Sequence, residues 1–426
     1  MRAATTMPRG SSAAGLGWLY NASKAPEMTN AYSAALSFNA LQNAWLNLYS
    51  KSSPRSRNST GIDNVSINDF AADYKNHLVR LARRLRHREF HFSALRPHLI
   101  KKSNGKDRLI CVPTVQDRII QRALLDFLEI RYSDRLANKV SYGFVRKRGV
   151  KLAVHDACEL RKKYPWVYNT DITSFFDSID RADLERALKR NIRESSLYPI
   201  LAEAIHCEID SVNGSAKKRI AALSVRANRG VRQGMPLSPF FSNLMLAQFD
   251  KEIERRNLHA VRYADDLIFL ASSRHECEQL AIFCTEQLAP IGLTVPPVGL
   301  EKESKSVIYE PGAPAEFLGV SLVQAADDYR LELTDKQIHG IRDELLGLGS
   351  IPELLARRIT LAKLGSTLAS RTHGYLAAYD MCHNVDSLER ALEDLQQKVL
   401  KKIYVDELKI NIAGLNREAR TFLGLR

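Results

Sequence analysis

Val261-Arg-Tyr-Ala-Asp-Asp-Leu-Ile-Phe-Leu270 decides the reading of this 426-residue chain, because two adjacent carboxylates, Asp265 and Asp266, interrupt a run that is otherwise apolar and β-prone. Such a run predicts a buried β-hairpin with an acidic turn. Two like charges beside a core raise each other's pKa unless something positive neutralises them, and the flanking residues supply no Lys. The stretch therefore asks for a divalent cation. An Asp-Asp pair in a tight turn can also simply be solvated, so the choice between the two rests on the rest of the chain.

Working outward, Val167-Tyr-Asn-Thr-Asp-Ile-Thr-Ser-Phe-Phe-Asp177 places Asp171 at the end of a second short strand signal. Asp171 and Asp265 together suit two ions, one activating a hydroxyl nucleophile and the other stabilising a departing pyrophosphate. Tyr263-Ala-Asp-Asp266 with Asp171 resembles the palm active site of reverse transcriptases, in particular the bacterial lineage that includes group II intron, retron and defence-associated enzymes. The resemblance implies an α+β right-hand polymerase with fingers, a ferredoxin-like palm and a helical thumb. It implies Asp171, Asp265 and Asp266 as catalytic, metal-holding carboxylates, with Ile172 as a further metal and nucleotide contact. It also implies two Mg²⁺ ions, with Mn²⁺ as a substitute.

The formal charge of +14, from 62 Lys and Arg against 48 Asp and Glu, favours a polyanionic partner. Its distribution sharpens the point: Lys75 to Arg122 holds 13 Lys or Arg against Glu89, Asp107 and Asp117, and Ser211 to Phe249 holds six Lys or Arg and no acid. Two separate basic zones suit a groove with two walls better than one solvated face. At this length and 45% hydrophobic content, a sizeable core and two or three domains are expected. The six cysteines lack CxxC spacing, which predicts neither a zinc site nor a disulfide framework and points to a reducing cytosol. No uncharged apolar run approaches the roughly 20 residues of a membrane span. Met1 to Lys24 lacks the apolar core of a secretory signal, so a cytoplasmic protein without membrane contact is expected.

Asn30 to Tyr49 carries Tyr32, Leu36, Phe38, Leu41, Trp45 and Leu48 at mostly helical spacing, before a Ser-, Arg- and Pro-rich loop from Ser50 to Gly61. Gly61-Ile-Asp63, Ile67, Phe70 and a basic helix from Tyr74 to His87 resemble the extra N-terminal motif of group II-like enzymes; the alternative is an ordinary helix capped by Ser66 or Asn68. Leu99-Ile-Lys-Lys-Ser-Asn-Gly-Lys-Asp-Arg-Leu-Ile-Cys-Val-Pro113 reads as two strands joined at Asn104-Gly105, a strong hairpin signal. By position in the family, Lys102 and Arg108 hold the incoming triphosphate, the guanidinium fork matching phosphate oxygens and the ammonium adding a point charge. Lys101 or Lys106 could replace Lys102 in that role. Ser141-Tyr-Gly-Phe-Val-Arg-Lys-Arg-Gly149 matches the loop before the palm, with Gly143 and Gly149 permitting turns and Arg146, Lys147 and Arg148 facing nucleic-acid phosphates.

A helix from Val150 to Lys163 leads into the strand ending at Asp171. Five residues beyond the metal aspartate the family places an aromatic gate against ribose, which assigns Phe176, with Phe175 as the fallback; plain core packing is the alternative for either ring. Arg229-Gly-Val-Arg-Gln-Gly-Met-Pro-Leu-Ser-Pro-Phe-Phe-Ser-Asn243 is similar to the family's Gln-Gly motif, with Gln233 in the nucleotide pocket and Gly234 allowing close backbone approach to template or nucleotide. After a helix from Arg274 to Leu288, Lys305 resembles the family's lysine near the triphosphate. Glu316-Phe-Leu-Gly319 matches the palm's closing strand and primer-grip turn, with Leu318 and Gly319 on nucleic acid. Strand, helix, hairpin, helix, strand is the βαββαβ order of a ferredoxin-like palm. From Leu333 onward helical patterns dominate, with breaks near Gly347 to Pro352 and near Asn384. The expected division is 1–60 lead-in and helix, 61–160 fingers, 161–325 palm with an insertion at about 191–228, and 326–426 helical thumb.

The resemblance implies an RNA template, a DNA product and deoxynucleoside triphosphates as partners. The chain stops after the thumb signal and lacks the Val-Thr-Gly tripeptide of retron enzymes. The expectation is therefore a stand-alone enzyme similar to the defence-associated reverse transcriptases, of class 2 type, copying a structured noncoding RNA in defence against phage. The alternatives are a retron or intron-derived enzyme, a template-independent or protein-primed polymerase on the same palm, and a non-catalytic RNA-binding protein, against which the three carboxylates argue.

Overall fold

The computed structural model describes residues 30–101, 105, 107–132, 138–210, 214–223, 225–299, 305–326 and 328–425, and among these the β-structure forms three antiparallel sheets. The first is a hairpin of β1 (Arg96–Lys101) and β2 (Asp107–Val112). The second has four strands, β3 (Trp166–Asp171), β4 (His259–Tyr263), β5 (Asp266–Ala271) and β6 (Val307–Tyr309), in the order β4-β5-β3-β6. The third is a meander of β7 (Ala315–Phe317), β8 (Val320–Ala325) and β9 (Asp328–Glu332). Helix Ser238–Arg255 lies between β3 and β4 in the chain and helix Arg274–Leu288 between β5 and β6, which realises the βαββαβ order.

Strand β5 shows why the deciding stretch is apolar without alternating. Leu267, Phe269 and Ala271 belong to one core, with Leu244, Phe249 and Phe283 of the two palm helices, whereas Ile268 and Leu270 belong to another, with Ala153 and Val154 of helix Val150–Lys163. A sheet covered on both faces needs apolar residues at every position. The carboxylates can sit only where the strands run out, at the end of β3 and in the β4–β5 turn.

Local signals act as expected with two adjustments. The helical spacing over Asn30 to Tyr49 resolves into two helices, Ala31–Ala35 and Phe38–Lys51, because the Ser37 hydroxyl accepts from the Ala40 N–H and starts a new helix. Ser66 caps helix Ile67–Ala72 in a reciprocal box with Asp69. Helix Tyr74–Arg86 buries Leu78, Leu81 and Leu85 and leaves Lys75, Arg80, Arg83, Arg84 and Arg86 exposed. The second adjustment is a correction: Glu316 to Gly319 does not close the palm sheet. β6 closes it, and Ala315–Phe317 opens the third sheet. Pro311 and Pro314 in the intervening loop cannot donate to a ladder. Arg161, fully buried on helix Val150–Lys163, gathers the carbonyls of Glu310 at 3.0 Å, Ala313 at 2.8 Å and Leu322 at 2.7 Å, fixing that loop against β8. The expected palm–thumb boundary at residue 325 falls at the last paired residue of β8 and so divides the β8–β9 hairpin. Helices Asp335–Leu346, Ile351–Ala356, Leu361–Ala378, Val385–Glu393 and Leu395–Lys401 follow, broken near Gly347 and Asn384. Among the described residues no helix is long and apolar enough to cross a membrane.

Asp117 in the first turn of helix Val115–Arg131 gives the fold a measurable pH signature. It is 1% exposed, and burial pushes its carboxyl up to about 6 despite hydrogen bonds from Thr114 and Ser93. A folded pKa above the unfolded value means that the native state holds the extra proton. Its contribution is therefore complete below pH ~4 and is lost as pH rises towards 6, by at most about 3 kcal/mol. Asp117→Asn should remove that decline, so its stability relative to wild type rises between pH 4.5 and 7 in urea titrations; a difference that does not change with pH would refute the assignment.

Candidate active site

Antiparallel pairing of β3 with β5 sets Asp171 opposite Asp266, and the β4–β5 ladder ends at Tyr263 and Asp266, leaving Ala264 and Asp265 as the turn. The Ile172 N–H donates to the Asp265 carbonyl at 3.0 Å and ties the end of β3 to that turn. Three carboxylates thus share one end of the sheet, where like charges repel. Burial raises the Asp265 pKa and Asp171 adds to it, with Lys305 and Arg108 pulling the other way. Burial, then Asp265 and Asp171, push Asp266 up to about 6 against the pull of Lys305. Asp266 keeps exposed surface despite the protein atoms crowding it, so water screens part of this repulsion.

Asp171 is 9% exposed; its Oδ2 meets the Lys305 ammonium, and its Oδ1 is buried with no hydrogen-bond partner among the described residues. A buried, unpartnered carboxylate oxygen is costly. Among the described residues no group of three or more His, Cys, Asp or Glu converges as a closed metal cage. Mg²⁺ does not need one, since it is commonly held by one or two carboxylates with water and substrate phosphate completing its shell. The donor set at Asp171 and Asp265 fits that kind of ion.

Of the residues expected on the nucleotide side, Lys305 meets Asp171 and Arg108 acts on Asp265. Arg108, exposed on β2, contributes to the field at Asp265. Asp107 next to it accepts a two-pronged bond from Arg219 at 2.7 and 2.8 Å and pairs with Lys101 at 3.0 Å, which pins the hairpin to helix Gly214–Ala221 and holds the Asp107 carboxyl far below its usual range. Lys102 and Lys106 lie outside the described residues. The Gln233 carbonyl accepts from the Cys111 N–H at 2.7 Å, so the Gly-rich loop docks on the edge of β2. Gly234 has φ +106°, and a Cβ there would lie 2.4 Å from the Cys111 carbonyl oxygen, so the approach requires glycine. The near end of this loop is bonded to the turn after β3, Val231 N–H to Phe176 carbonyl at 2.8 Å. Phe175 is 2% exposed and part of the core; Phe176 is half-buried.

Other expected contacts lie elsewhere. Leu318 and Gly319 form the β7–β8 turn, with φ +49° and +84°. Arg146 and Lys147 are exposed, while Arg148 donates to the Ser141 carbonyl at 2.6 Å and lies over the Tyr142 ring. Two buried charge clusters escape sequence reasoning. Glu208 accepts from Arg181 at 2.7 Å and Arg232 at 2.6 Å, both guanidinium groups being 2% exposed, and so anchors the Gly-rich loop from below. Arg262, beside the β4–β5 turn, pairs with Asp250. A charged residue inside an apolar run is the available signal for Arg262; nothing local marks Glu208.

A βαββαβ sheet ending in clustered carboxylates, faced by a basic β-hairpin, defines the α+β palm of a right-hand polymerase. Residues 100–322, more than half of the chain, match the family described as reverse transcriptase (RNA-dependent DNA polymerase), and the chain belongs to that family. It is 34% identical over 167 residues to Protein YkfC of Escherichia coli (strain K12), covering 37% of this chain and 40% of that protein. It is 26% identical over 156 residues to the group II intron-encoded protein LtrA of Lactococcus lactis subsp. cremoris, covering 37% and 24%. It is 24% identical over 175 residues to the retron Ec83 reverse transcriptase of Escherichia coli, covering 39% and 49%. The chain spans less than half the length of each of these relatives.

Proposed function

We propose that this chain is an RNA-directed DNA polymerase that copies a structured noncoding RNA, with Asp171 and Asp265 as the principal metal-holding carboxylates, aided by Asp266 and the main chain of Ile172. The observation that carries the reading is the orphaned, buried Oδ1 of Asp171 beside two further carboxylates whose pKa values are raised, with Arg108 and Lys305 facing them. Two Mg²⁺ ions, or Mn²⁺ in their place, would supply activation of the primer hydroxyl and stabilisation of the leaving pyrophosphate. The residues of the chain do the rest. Arg108, Lys305 and a lysine of the hairpin tip, Lys102 in first place, neutralise the triphosphate, and Gln233 with Gly234 lines the nucleotide pocket. Phe176 bounds the sugar. Residues 61–160 act as fingers, 161–325 as palm and 326–426 as thumb. The exposed Lys and Arg of helix Tyr74–Arg86, with Arg146 and Lys147, supply dispersed phosphate contacts to RNA. A role in antiphage defence, of the class 2 type, is the cellular reading by analogy with the defence-associated enzymes.

The test is incorporation of labelled deoxynucleotides by the purified protein on a defined RNA template with Mg²⁺, with a template-free control. Template-dependent DNA product supports the reading; equal product without template makes the enzyme an untemplated polymerase, and none removes the activity. In the same assay Arg108→Ala should raise KM for deoxynucleotide by about 10- to 100-fold, the loss of one charge-assisted fork, and weaken RNA binding far less, since it is one among many phosphate contacts. Equal effects on both would put Arg108 on the RNA path.

A further inference from the structure

The turn that carries Asp265 is held from inside the protein by a buried charge. Arg262 on β4 is fully buried, a position Arg almost never occupies unless paired. Its guanidinium forks onto Asp250 of helix Ser238–Arg255, Nε to Oδ1 at 2.7 Å and Nη2 to Oδ2 at 2.5 Å, and Asp250 is itself 1% exposed. The third nitrogen, Nη1, donates to the Ala264 carbonyl at 3.0 Å and to Asn243 Oδ1 at 3.1 Å. Asn243, two turns earlier on the same helix, donates through Nδ2 to the Gly143 carbonyl at 2.9 Å. Gly143 lies against the turn from the other side: a Cβ there would sit 2.5 Å from the Ala264 nitrogen. The ring closes through the main chain, where Arg262 N–H donates to Val140 and Tyr142 N–H donates to Arg262, both at 2.8 Å.

An ion pair that merely joined helix to strand would need only the fork onto Asp250. The additional bond reaches the peptide immediately before Asp265, whose residue, Ala264, is held at φ +58°, a conformation that a residue with a side chain adopts only when its surroundings impose it. We propose that Arg262, Asp250 and Asn243 form a positioning brace that fixes this peptide and so aims the Asp265 carboxylate at its partner Asp171. Asp250 provides the countercharge that allows a guanidinium at this depth, and Asn243 with Gly143 locks the loop before the palm to the same turn. The proposal deepens the reading of Asp265 as a metal-holding residue and rests on it.

Removing both partners of a buried ion pair costs less than stranding one of them, so Arg262→Met combined with Asp250→Leu should lower Tm less than either single change while the Ala264 carbonyl loses its tether. Expected are a KM for deoxynucleotide within about threefold of wild type, a kcat about 10- to 100-fold lower, and a comparable loss of Mn²⁺ affinity read by electron paramagnetic resonance of the ion. Gly143→Ala, which leaves the ion pair intact and presses on the turn from the loop, should lower kcat and Mn²⁺ affinity in the same way. Should the double variant fail to fold, Gly143→Ala and Asn243→Ser carry the test. Wild-type kcat and Mn²⁺ affinity in the folded variants would overturn the brace. If Asp265→Ala is inactive in parallel, only the brace falls; if Asp265→Ala is fully active, the reading of Asp265 falls with it.

Discussion

Asp265→Ala, and separately Asp171→Ala, should reduce nucleotide incorporation by at least about 10³-fold while leaving RNA affinity nearly unchanged. Each change removes one arm of the clamp on the reacting oxygens, whereas RNA affinity rests on many phosphate contacts. The two variants should also reveal the cost of the site to the fold. In the metal-free protein Asp265 is a half-buried carboxylate repelled by Asp171, so removing it should leave Tm unchanged or raise it. Asp171→Ala strips Lys305 of its partner, but Lys305 is largely exposed and loses little by it. Addition of Mg²⁺ should raise the Tm of wild type and not of either variant, because a ligand stabilises only the state that binds it. Primer extension, melting curves with and without Mg²⁺, and filter binding of RNA make the three measurements. Wild-type incorporation by either variant would sink the assignment, and collapse of the fold in both would give these residues a structural role.

The second large effect separates two adjacent rings. Phe176→Ala should raise ribonucleotide incorporation relative to deoxynucleotide by about tenfold or more, because a rigid ring below the sugar leaves a 2′-hydroxyl neither space nor a hydrogen-bond partner. Phe176 is half-buried with its carbonyl held by Val231, so trimming its side chain leaves the backbone anchored. Phe175, 2% exposed among core residues that include Ile172 and Ile179, should instead lose about 3–5 kcal/mol of stability on truncation to Ala, with sugar selectivity intact. Competition between the two nucleotide types on one RNA template, with denaturant melts of both variants, decides it. Unchanged selectivity in Phe176→Ala removes the gate; a change confined to Phe175→Ala moves it by one residue.

Much of the architecture is legible where the signal is local. The helices Val150–Lys163 and Arg274–Leu288 stand at their expected limits, since their apolar spacing lies within the segments themselves and Ser273 caps the second. The strand end at Asp171 and the turn at Asp265 are likewise written in a few neighbouring residues, as charges interrupting apolar runs. The closing of the palm sheet is where reading by family position fails. Val307–Tyr309 and Ala315–Phe317 are both short strand signals, and which one pairs with β3 depends on a proline-broken loop held by Arg161 from a helix about 150 residues earlier.

By itself the sequence determined the palm connectivity, the three carboxylates, the basic character of the chain and the two adjacent phenylalanines that follow Asp171. Only the tertiary structure decided that Lys305 meets Asp171, that Glu208 carries two buried arginines, that Arg161 is solvated by carbonyls, and that Arg262 and Asp250 stand behind the β4–β5 turn. For the three clusters of buried arginines the physical reason is common. A charged residue in a chain reads as solvated surface, and its burial becomes favourable only through partners that folding brings from distant segments; no local pattern records those partners, although they hold the site in place.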